Sequence, residues 1–83
     1  MYFVYILRCI DDSLYTGITT DLLRRVEEHN GSDRGAKYTR IRRPVTLVYS
    51  EKCIDRSLAS KREYEIKKKM TRTMKLKLIE TQV

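Results

Sequence analysis

The alternation of apolar and polar side chains divides the chain into short segments with two different periods. Two apolar runs near the N-terminus are rich in β-branched and aromatic residues, and the turn-forming Asp11-Asp12-Ser13 separates them, which predicts an antiparallel hairpin. Further along, apolar residues recur at spacings of three and four, as on one face of a helix. In chain order the predicted elements are strand Phe3–Arg8, strand Leu14–Ile18, helix Leu22–His29, strand Val45–Ser50, helix Leu58 to about Met70 and helix Arg72–Glu80.

This order of elements predicts a single α+β domain over residues 1–83, with a small three-stranded antiparallel sheet flanked by helices. Residues 31–44 are polar and end at Pro44, so they are predicted to form a loop with a helical turn near residues 36–39. Gly17 inside the second strand indicates a bulge or a close approach of another group to the backbone.

Charge is distributed unevenly along the chain, whose formal net charge is +7. Residues 1–33 carry three basic and six acidic side chains, residues 34–43 carry five basic and no acidic ones, and residues 52–77 carry ten basic and three acidic ones. Such clustering favours nucleic acid as the partner, because each phosphate contact releases condensed counterions, although lysine also serves solubility alone. The expected nucleic-acid contacts are Lys37, Arg40, Arg42, Arg43, Lys67 and Lys68.

Composition disfavours several other classes of protein. Cys9 and Cys53 lie far apart in apolar runs, and with one His and no C-x-x-C pair a zinc site is not expected. No apolar run is long enough to predict a membrane span, and the N-terminus lacks the pattern of a signal peptide. We therefore expect a cytoplasmic protein with two reduced cysteines and no membrane partner.

The second long helix carries a carboxylate where an apolar residue is expected. Ala59, Ile66 and Met70 form an apolar stripe at helical spacing, and Glu63 falls on the same stripe. A core-facing carboxylate is costly unless it is paired or binds a metal. Glu63 is therefore either the partner of an arginine at the edge of the core or a metal ligand, and the pattern leaves both open.

The first helix carries a second pair of candidate residues. Leu22, Leu23 and Val26 are expected to form its buried side, while Arg25 and His29, four residues apart, lie on the flank of that side. Arginine and histidine are the residue types that bind phosphate and move protons. The spacing alone is a weak indication, because an Arg and a His flank many ordinary cores.

Tyr5 and Tyr15 stand on the two strands of the hairpin and by themselves are ordinary strand aromatics. Together with the stretches YTGITTDLLRRVEEHN, KYTR and REYEIKKK they resemble the short motifs and helices of the GIY-YIG nuclease superfamily, and most of all its small stand-alone bacterial members. The resemblance covers most of the chain. It implies a three-stranded antiparallel sheet and hydrolysis of DNA phosphodiester bonds with one divalent metal, Mg²⁺ or Mn²⁺. The sequence leaves RNA open as a further substrate.

The resemblance also implies a role for each candidate residue. Tyr5 and Tyr15 match the motif tyrosines, one of which acts as the general base or positions it. Arg25 matches the arginine that binds the scissile phosphate, and His29 matches a histidine found in many members. Glu63 matches the metal-binding glutamate, which favours the metal-ligand interpretation of the apolar stripe.

The chain departs from the family pattern at three positions. Phe3 and Thr16 replace a Gly and an Ile of the motifs, and Ile18 stands where some relatives carry a Lys that lowers a tyrosine pKa. Activation of a tyrosine is then expected to depend more on the metal or on His29. The expected function is a metal-dependent DNA endonuclease in repair, recombination or nucleic-acid turnover, with a protein partner as one source of targeting. The alternatives are a silent nucleic-acid-binding module and an interaction subunit of a larger complex.

Overall fold

The sheet is built around its first strand, β1, whose two neighbours both run antiparallel to it. The structure is a computed structural model and describes residues 1–82. β1 (Tyr2–Arg8) pairs on one side with β2 (Leu14–Thr19) and on the other with β3 (Thr46–Cys53), which gives the strand order β2-β1-β3. The predicted three-stranded antiparallel sheet is therefore confirmed.

The register of the sheet fixes which residues meet across the strands. Tyr5 at the middle of β1 lies opposite Gly17 on β2 and Ser50 on β3. The side-chain amide of Gln82 pairs with β3 from outside the sheet: its Oε1 accepts from the Ser50 N–H at 2.9 Å, and its Nε2 donates to the Ser50 carbonyl at 2.5 Å. At this position an amide side chain takes the place of a further strand.

Helical segments cover both faces of the sheet, and three of them begin at a residue whose side-chain oxygen accepts a backbone N–H. These caps are Asp21, Asp55 and Thr71. No helix within residues 1–82 has both the length and the apolar character needed to cross a bilayer. In chain order the segments are α1 (Leu22–Gly31), α2 (Lys37–Arg40), α3 (Arg56–Tyr64), a π-helical segment (Glu65–Lys69) and α4 (Arg72–Glu80).

The boundaries differ from the predicted ones where tertiary pairing outweighs local pattern. β3 continues past Ser50 to Cys53, because the charged residues Glu51 and Lys52 still pair with β1. The predicted long helix ends as an α-helix at Tyr64, and its last turn widens into the π-helical segment, a form that hydrophobic spacing does not reveal. The predicted helical turn near residues 36–39 is present as α2.

The core consists of two layers on opposite faces of β1, which is buried on both sides. One layer contains Val4, Ile6, Tyr49, Ala59 and Ile66, with residues of α4 packed against it. The other contains Tyr5, Leu7, Cys9 and Val45, with Leu22 and Val26 of α1 packed against it. Cys9 is buried, Cys53 is half-buried, and both are free thiols.

The expectation that Leu23 belongs to the buried side of α1 is wrong, because 79% of Leu23 is exposed. The helix turns the row Leu22, Val26 and His29 toward the sheet, at spacings of four and three. Leu23 lies next to this row along the chain but about 100° away around the helix axis, and it faces outward.

Candidate active site

The hairpin brings two tyrosines side by side on one face of the sheet. Tyr5 in β1 is buried, Tyr15 in β2 is half-buried, and their ring centroids are 6.4 Å apart. Gly17 lies opposite Tyr5, and a Cβ at this glycine would stand 2.6 Å from the Tyr5 hydroxyl oxygen and 3.2 Å from the Tyr15 ring. The close approach indicated by Gly17 is thus confirmed, and a side chain at this position would displace Tyr5.

His29 at the end of α1 is fully buried, and both of its ring nitrogens are bonded. Nε2 lies 2.8 Å from the Tyr5 hydroxyl, and Nδ1 lies 2.7 Å from Oγ1 of Thr39 in α2. The Thr39 hydroxyl donates its one proton to the Ala36 carbonyl at 3.0 Å, so it accepts a proton from Nδ1. The Ala36 N–H, 3.5 Å from Nδ1, is too distant to compete. Nε2 is therefore the acceptor for the Tyr5 hydroxyl.

The environment of His29 keeps the imidazole neutral at ordinary pH. Burial lowers its pKa to about 4, and the charges of Arg25 and Arg43 act in the same direction, while Glu28 opposes them. A neutral imidazole with Nδ1 protonated holds the Tyr5 hydroxyl in one orientation. The chain of hydrogen bonds from Tyr5 through His29 to Thr39 joins the sheet to the loop that follows α1.

Arg25 lies beside both tyrosine hydroxyls and is anchored through one end of its guanidinium. Its Nη1 donates to Glu28 Oε1 at 2.9 Å and to the Arg34 carbonyl at 2.6 Å. Within residues 1–82 no carboxylate or carbonyl bonds Nε or Nη2, which are the atoms that would form a fork with an anion. Arg25 also lines a cavity of about 340 Å³ that contains two further arginines, Arg24 and Arg56.

The two tyrosines hold their protons strongly in this environment. Burial raises the pKa of Tyr5 to about 12, and Tyr15 and Glu63 add to the increase, while the neighbouring Arg25 opposes it. Burial and the charge of Glu63 also raise the pKa of Tyr15, again against the charge of Arg25. The charges of Arg25 in α1 and Glu63 in α3 thus both affect the pKa values of the two tyrosines. The four side chains therefore share one electrostatic environment.

Glu63 is a half-buried carboxylate without a counter-ion in the described part of the chain. Ala59 and Ile66, its neighbours on the predicted stripe, are buried. The adjacent Arg62 is engaged elsewhere: its Nε lies 3.0 Å from Glu51 and its Nη1 lies 3.7 Å from Glu65. No arginine in residues 1–82 pairs with Glu63, so the ion-pair alternative raised by the sequence is not found there.

The donor set around Glu63 suits a hard divalent cation. Residues 1–82 contain no cluster of three or more His, Cys, Asp or Glu side chains arranged to hold a metal. Glu63 is therefore a single carboxylate, near enough to Tyr5 and Tyr15 for its charge to raise the pKa values of both hydroxyls. Mg²⁺ in particular is bound in many sites through one or two carboxylates and keeps several waters.

The basic residues predicted to bind nucleic acid have different surroundings. Arg43 is engaged within the protein, because its Nε donates to the His29 carbonyl at 2.5 Å and its Nη2 to the Ser32 carbonyl at 2.6 Å. It closes the C-terminal end of α1, where helix carbonyls lack partners, and its guanidinium is not directed at the surface. Lys37 and Arg40 are both exposed, and Arg40 donates to the Asp33 carbonyl at 2.9 Å.

Two of the remaining basic residues, Arg42 and Lys67, lie near tyrosines. Arg42 places its guanidinium 3.9 Å from the ring centroid of Tyr38 and forms an ion pair with Asp11 at 3.1 Å. Lys67 and Lys68 are exposed on the π-helical segment, and Nζ of Lys67 lies 5.9 Å from the ring centroid of Tyr15. The structure therefore brings Arg42 and Lys67 toward the candidate site.

The sequence alone does not reveal the roles of several residues that complete the site. Thr39 and Tyr38 belong to the KYTR stretch, yet nothing local shows that Thr39 bonds His29 or that Tyr38 stacks near Tyr15. Gly35 is equally constrained, because a Cβ there would lie 2.7 Å from the Glu28 carbonyl and 3.0 Å from His29 Cα. The signal for Thr39 and Tyr38 in the sequence was their place in the KYTR stretch, which is part of the family resemblance.

Comparison with known proteins agrees with this geometry. The family model described as the GIY-YIG catalytic domain matches residues 1–77. The UPF0213 protein DP2720 of Desulfotalea psychrophila is 67% identical over 66 residues, which are 80% of this chain and 60% of that protein. The UPF0213 protein SERP0126 of Staphylococcus epidermidis is 57% identical over 79 residues, which are 95% of this chain and 94% of that protein.

A solved structure also resembles the fold. The solution NMR structure of the UPF0213 protein BH0048 from Bacillus halodurans superimposes with a TM-score of 0.61 at 44% sequence identity. The match covers 98% of this chain and 85% of the other. This chain spans about 60% of the length of the D. psychrophila protein but nearly all of the S. epidermidis protein.

Proposed function

Because this chain belongs to the GIY-YIG catalytic-domain family, a nuclease family, we propose that it is an endonuclease that hydrolyses DNA phosphodiester bonds with one Mg²⁺ or Mn²⁺. One observation carries the proposal: Glu63, a half-buried carboxylate without an ion-pair partner in residues 1–82, shares its electrostatic environment with Tyr5, Tyr15 and Arg25. This combination unites a cation ligand, hydroxyl groups and an anion-binding fork in one place.

Glu63 is the residue that would hold the cation, with water as its main additional ligand. Once bound, the divalent ion would favour deprotonation of nearby hydroxyls and neutralise negative charge that grows on the phosphate. The pKa values of Tyr5 and Tyr15, both raised by burial, make such a nearby positive charge necessary for either tyrosine to act as a base at neutral pH.

Arg25 would bind the scissile phosphate. Its contacts with Glu28 and the Arg34 carbonyl hold Nη1 and fix the plane of the guanidinium, which also hydrogen-bonds the Tyr5 hydroxyl. No carboxylate or carbonyl in residues 1–82 occupies Nε or Nη2, and these atoms would donate to the phosphate oxygens. Such a preformed fork stabilises charge in the transition state without reorganisation. The other arginines of the neighbouring cavity, Arg24 and Arg56, would bind an adjoining phosphate.

The hydrogen bonds of the two tyrosine hydroxyls differ, and we assign a different role to each tyrosine. The Tyr5 hydroxyl already donates to His29, which fixes its oxygen and places Tyr5 as a positioning residue. The Tyr15 hydroxyl forms no bond with a histidine or a carboxylate in residues 1–82, so we assign to Tyr15 the contact with the attacking water. The neutral His29 then serves to orient the Tyr5 hydroxyl.

Cleavage of labelled DNA tests the proposal. Single-stranded, duplex, flap, forked and four-way-junction DNAs are incubated with Mg²⁺ or Mn²⁺, and the wild type is compared with Glu63→Gln and Glu65→Gln. We expect Glu63→Gln to slow cleavage by at least about 100-fold, or roughly 2.7 kcal/mol of transition-state stabilisation. The matched control Glu65→Gln, which alters an exposed carboxylate two residues away, is expected to cleave normally.

The same experiment separates the alternatives. Cleavage that survives both Glu63→Gln and Arg25→Ala would come from a contaminant and would remove the proposed activity. Salt-sensitive binding of DNA without metal-dependent cleavage would instead identify a silent nucleic-acid-binding module. Absence of any DNA binding would favour an interaction subunit of a larger complex.

A further inference from the structure

A second cavity lies along the free edge of β2, next to the candidate active site. Its volume is about 250 Å³, and three consecutive residues of β2 form one wall, so it follows the outer edge of that strand. The opposite walls come from α2, the π-helical segment and α4. The lining residues are Leu14, Tyr15, Thr16, Tyr38, Lys67 and Lys75. The catalytic roles proposed above use only Tyr15 from this set.

Two aromatic rings in this cavity are held nearly parallel. The centroids of Tyr15 and Tyr38 are 6.0 Å apart, and the planes of the rings differ by 26°. Arg42 covers part of Tyr38 from 3.9 Å and also donates to the Tyr38 carbonyl at 2.9 Å, so Tyr38 is fixed from one side. Tyr38 nevertheless keeps 39% of its surface exposed. A fixed, partly exposed aromatic ring is the surface on which a nucleobase stacks.

The charged residues of the cavity are both positive. Lys67 projects from the π-helical segment to within 5.9 Å of the Tyr15 ring centroid, and Lys75 projects from α4. π-helical turns are rare and are frequently retained at functional sites. Here the widened turn carries Lys67 toward Tyr15, where an ammonium group would contact the backbone phosphate of a strand whose base occupies the cavity.

The second cavity and the arginine-lined cavity described above flank the site at the two ends of β2. The former is lined by residues 14–16 of this strand, and the latter by residues 18–20. Gly17, with Tyr5 opposite it on β1, lies between the two cavities. A single strand that follows the edge of β2 would therefore have a stacking surface on one side of the site and guanidinium groups on the other.

On the basis of the nuclease function proposed above, we propose that the cavity lined by Tyr15 and Tyr38 is a subsite for one unpaired nucleobase adjacent to the scissile phosphate. In a duplex both faces of a base are stacked and its edge is paired, so a base can enter only from a single-stranded or locally opened region. The preferred substrate class is thus single-stranded or partly unpaired nucleic acid. Lys67 and Lys75 would bind the phosphates on either side of the seated base.

Binding in EDTA tests the subsite without cleavage. A labelled single-stranded 15-mer with 2-aminopurine at a central position, the same strand with an abasic centre, and the corresponding duplex are titrated with wild type, Tyr38→Ala and Tyr38→Phe. The chain has no Trp, so 2-aminopurine fluorescence reports stacking without interference. Circular dichroism and the Tm of each variant show that it is folded. An RNA strand of the same sequence distinguishes the two sources of an unpaired base.

We expect Tyr38→Ala to weaken binding of the intact single strand by about 5- to 150-fold, the range that corresponds to ~1–3 kcal/mol of base stacking, and to abolish the quenching of 2-aminopurine. Tyr38→Phe retains the ring and is expected to bind like the wild type. Binding of the duplex, and of the abasic strand, is expected to depend little on Tyr38. Weaker binding of the single strand by Tyr38→Ala, with DNA, RNA or both, supports the subsite. The strand that is affected shows whether the unpaired base comes from DNA or RNA.

Two results would overturn the subsite. One is that Tyr38→Ala weakens binding of the duplex as much as binding of the single strand. The other is that the wild-type protein binds the abasic strand as tightly as the intact strand. The proposed nuclease is judged separately. A chain that stacks a base on Tyr38 but never cuts DNA would refute the nuclease and keep the subsite. Metal-dependent cleavage together with single-strand binding that does not depend on Tyr38 would support the nuclease and refute the subsite.

Discussion

Replacement of Gly17 by alanine tests the central contact of the site. The added Cβ would lie 2.6 Å from the hydroxyl oxygen of Tyr5 and 2.8 Å from its Cζ, well inside van der Waals contact. Tyr5 is buried between the strands and α1, so its ring has no space into which it can retreat. We therefore expect the ring to move away from His29 and the hydrogen bond of 2.8 Å to break.

The magnitude follows from the two effects. Overpacking in a dense interior costs ~1–3 kcal/mol. A broken bond that leaves the buried Nε2 of His29 without a donor adds ~1–3 kcal/mol. The sum, roughly 2–6 kcal/mol, is a large part of the stability of so small a domain. We also expect cleavage to fall, because Tyr5 and Tyr15 both lose their positions.

The chain contains a matched control for Gly17→Ala. Gly31 is the last residue of α1, and a Cβ there would have no neighbour within 4 Å. Gly31→Ala is therefore expected to leave stability unchanged or to raise it by up to ~1 kcal/mol, since alanine favours helix. Urea unfolding followed by circular dichroism measures both variants. If Gly17→Ala unfolds at the same urea concentration as Gly31→Ala, the steric reasoning about Tyr5 is refuted.

Three further predictions concern the network behind Tyr5. The pKa of His29 in the folded state, about 4, lies below its unfolded value near 6.5, so stability that is complete above pH 6.5 should decline by at most about 3 kcal/mol as the pH falls through 4. His29→Gln should flatten that decline in pH-dependent urea unfolding, and an unchanged profile would count against it. Thr39→Val removes the acceptor for His29 Nδ1 and should cost ~1–3 kcal/mol, whereas Thr39→Ser should cost less. Asn30→Ala breaks two bonds to the backbone of Val45, at 2.7 and 3.0 Å, and should lower the Tm, while wild-type melting would show that these bonds contribute nothing.

The sheet and its helices could be predicted because their signals are local. Periodicity marked β1, β2 and α1, whereas α3 begins at Arg56, two residues before the predicted Leu58. The end of β3 could not be predicted, because the polar Glu51 and Lys52 extend the strand only through their pairing with β1. The π-helical segment was missed for a related reason: it preserves the apolar contact of Ile66 while it changes the hydrogen-bond spacing.

The candidate site shows the same division. Glu63 was recognisable because a carboxylate on an apolar stripe breaks the pattern, and Arg25 and His29 share one row of α1. The roles of Thr39 and Tyr38 depend on where the loop after α1 folds back, which involves the Arg43 contacts with carbonyls at the end of that helix. The spacing of residues within the loop therefore does not reveal that Thr39 and Tyr38 lie next to His29 and Tyr15.

The contact between Gln82 and Ser50 has a consequence for self-association. A three-stranded sheet has two open edges, and each presents backbone groups that can recruit a strand from another molecule. On β3 the amide of Gln82 already satisfies the Ser50 N–H and carbonyl, as a neighbouring strand would. Gln82 thus blocks the pairing of another strand with Ser50 at this edge. We expect a Gln82→Ala protein to form fibrous aggregates more readily than the wild type in concentrated solution.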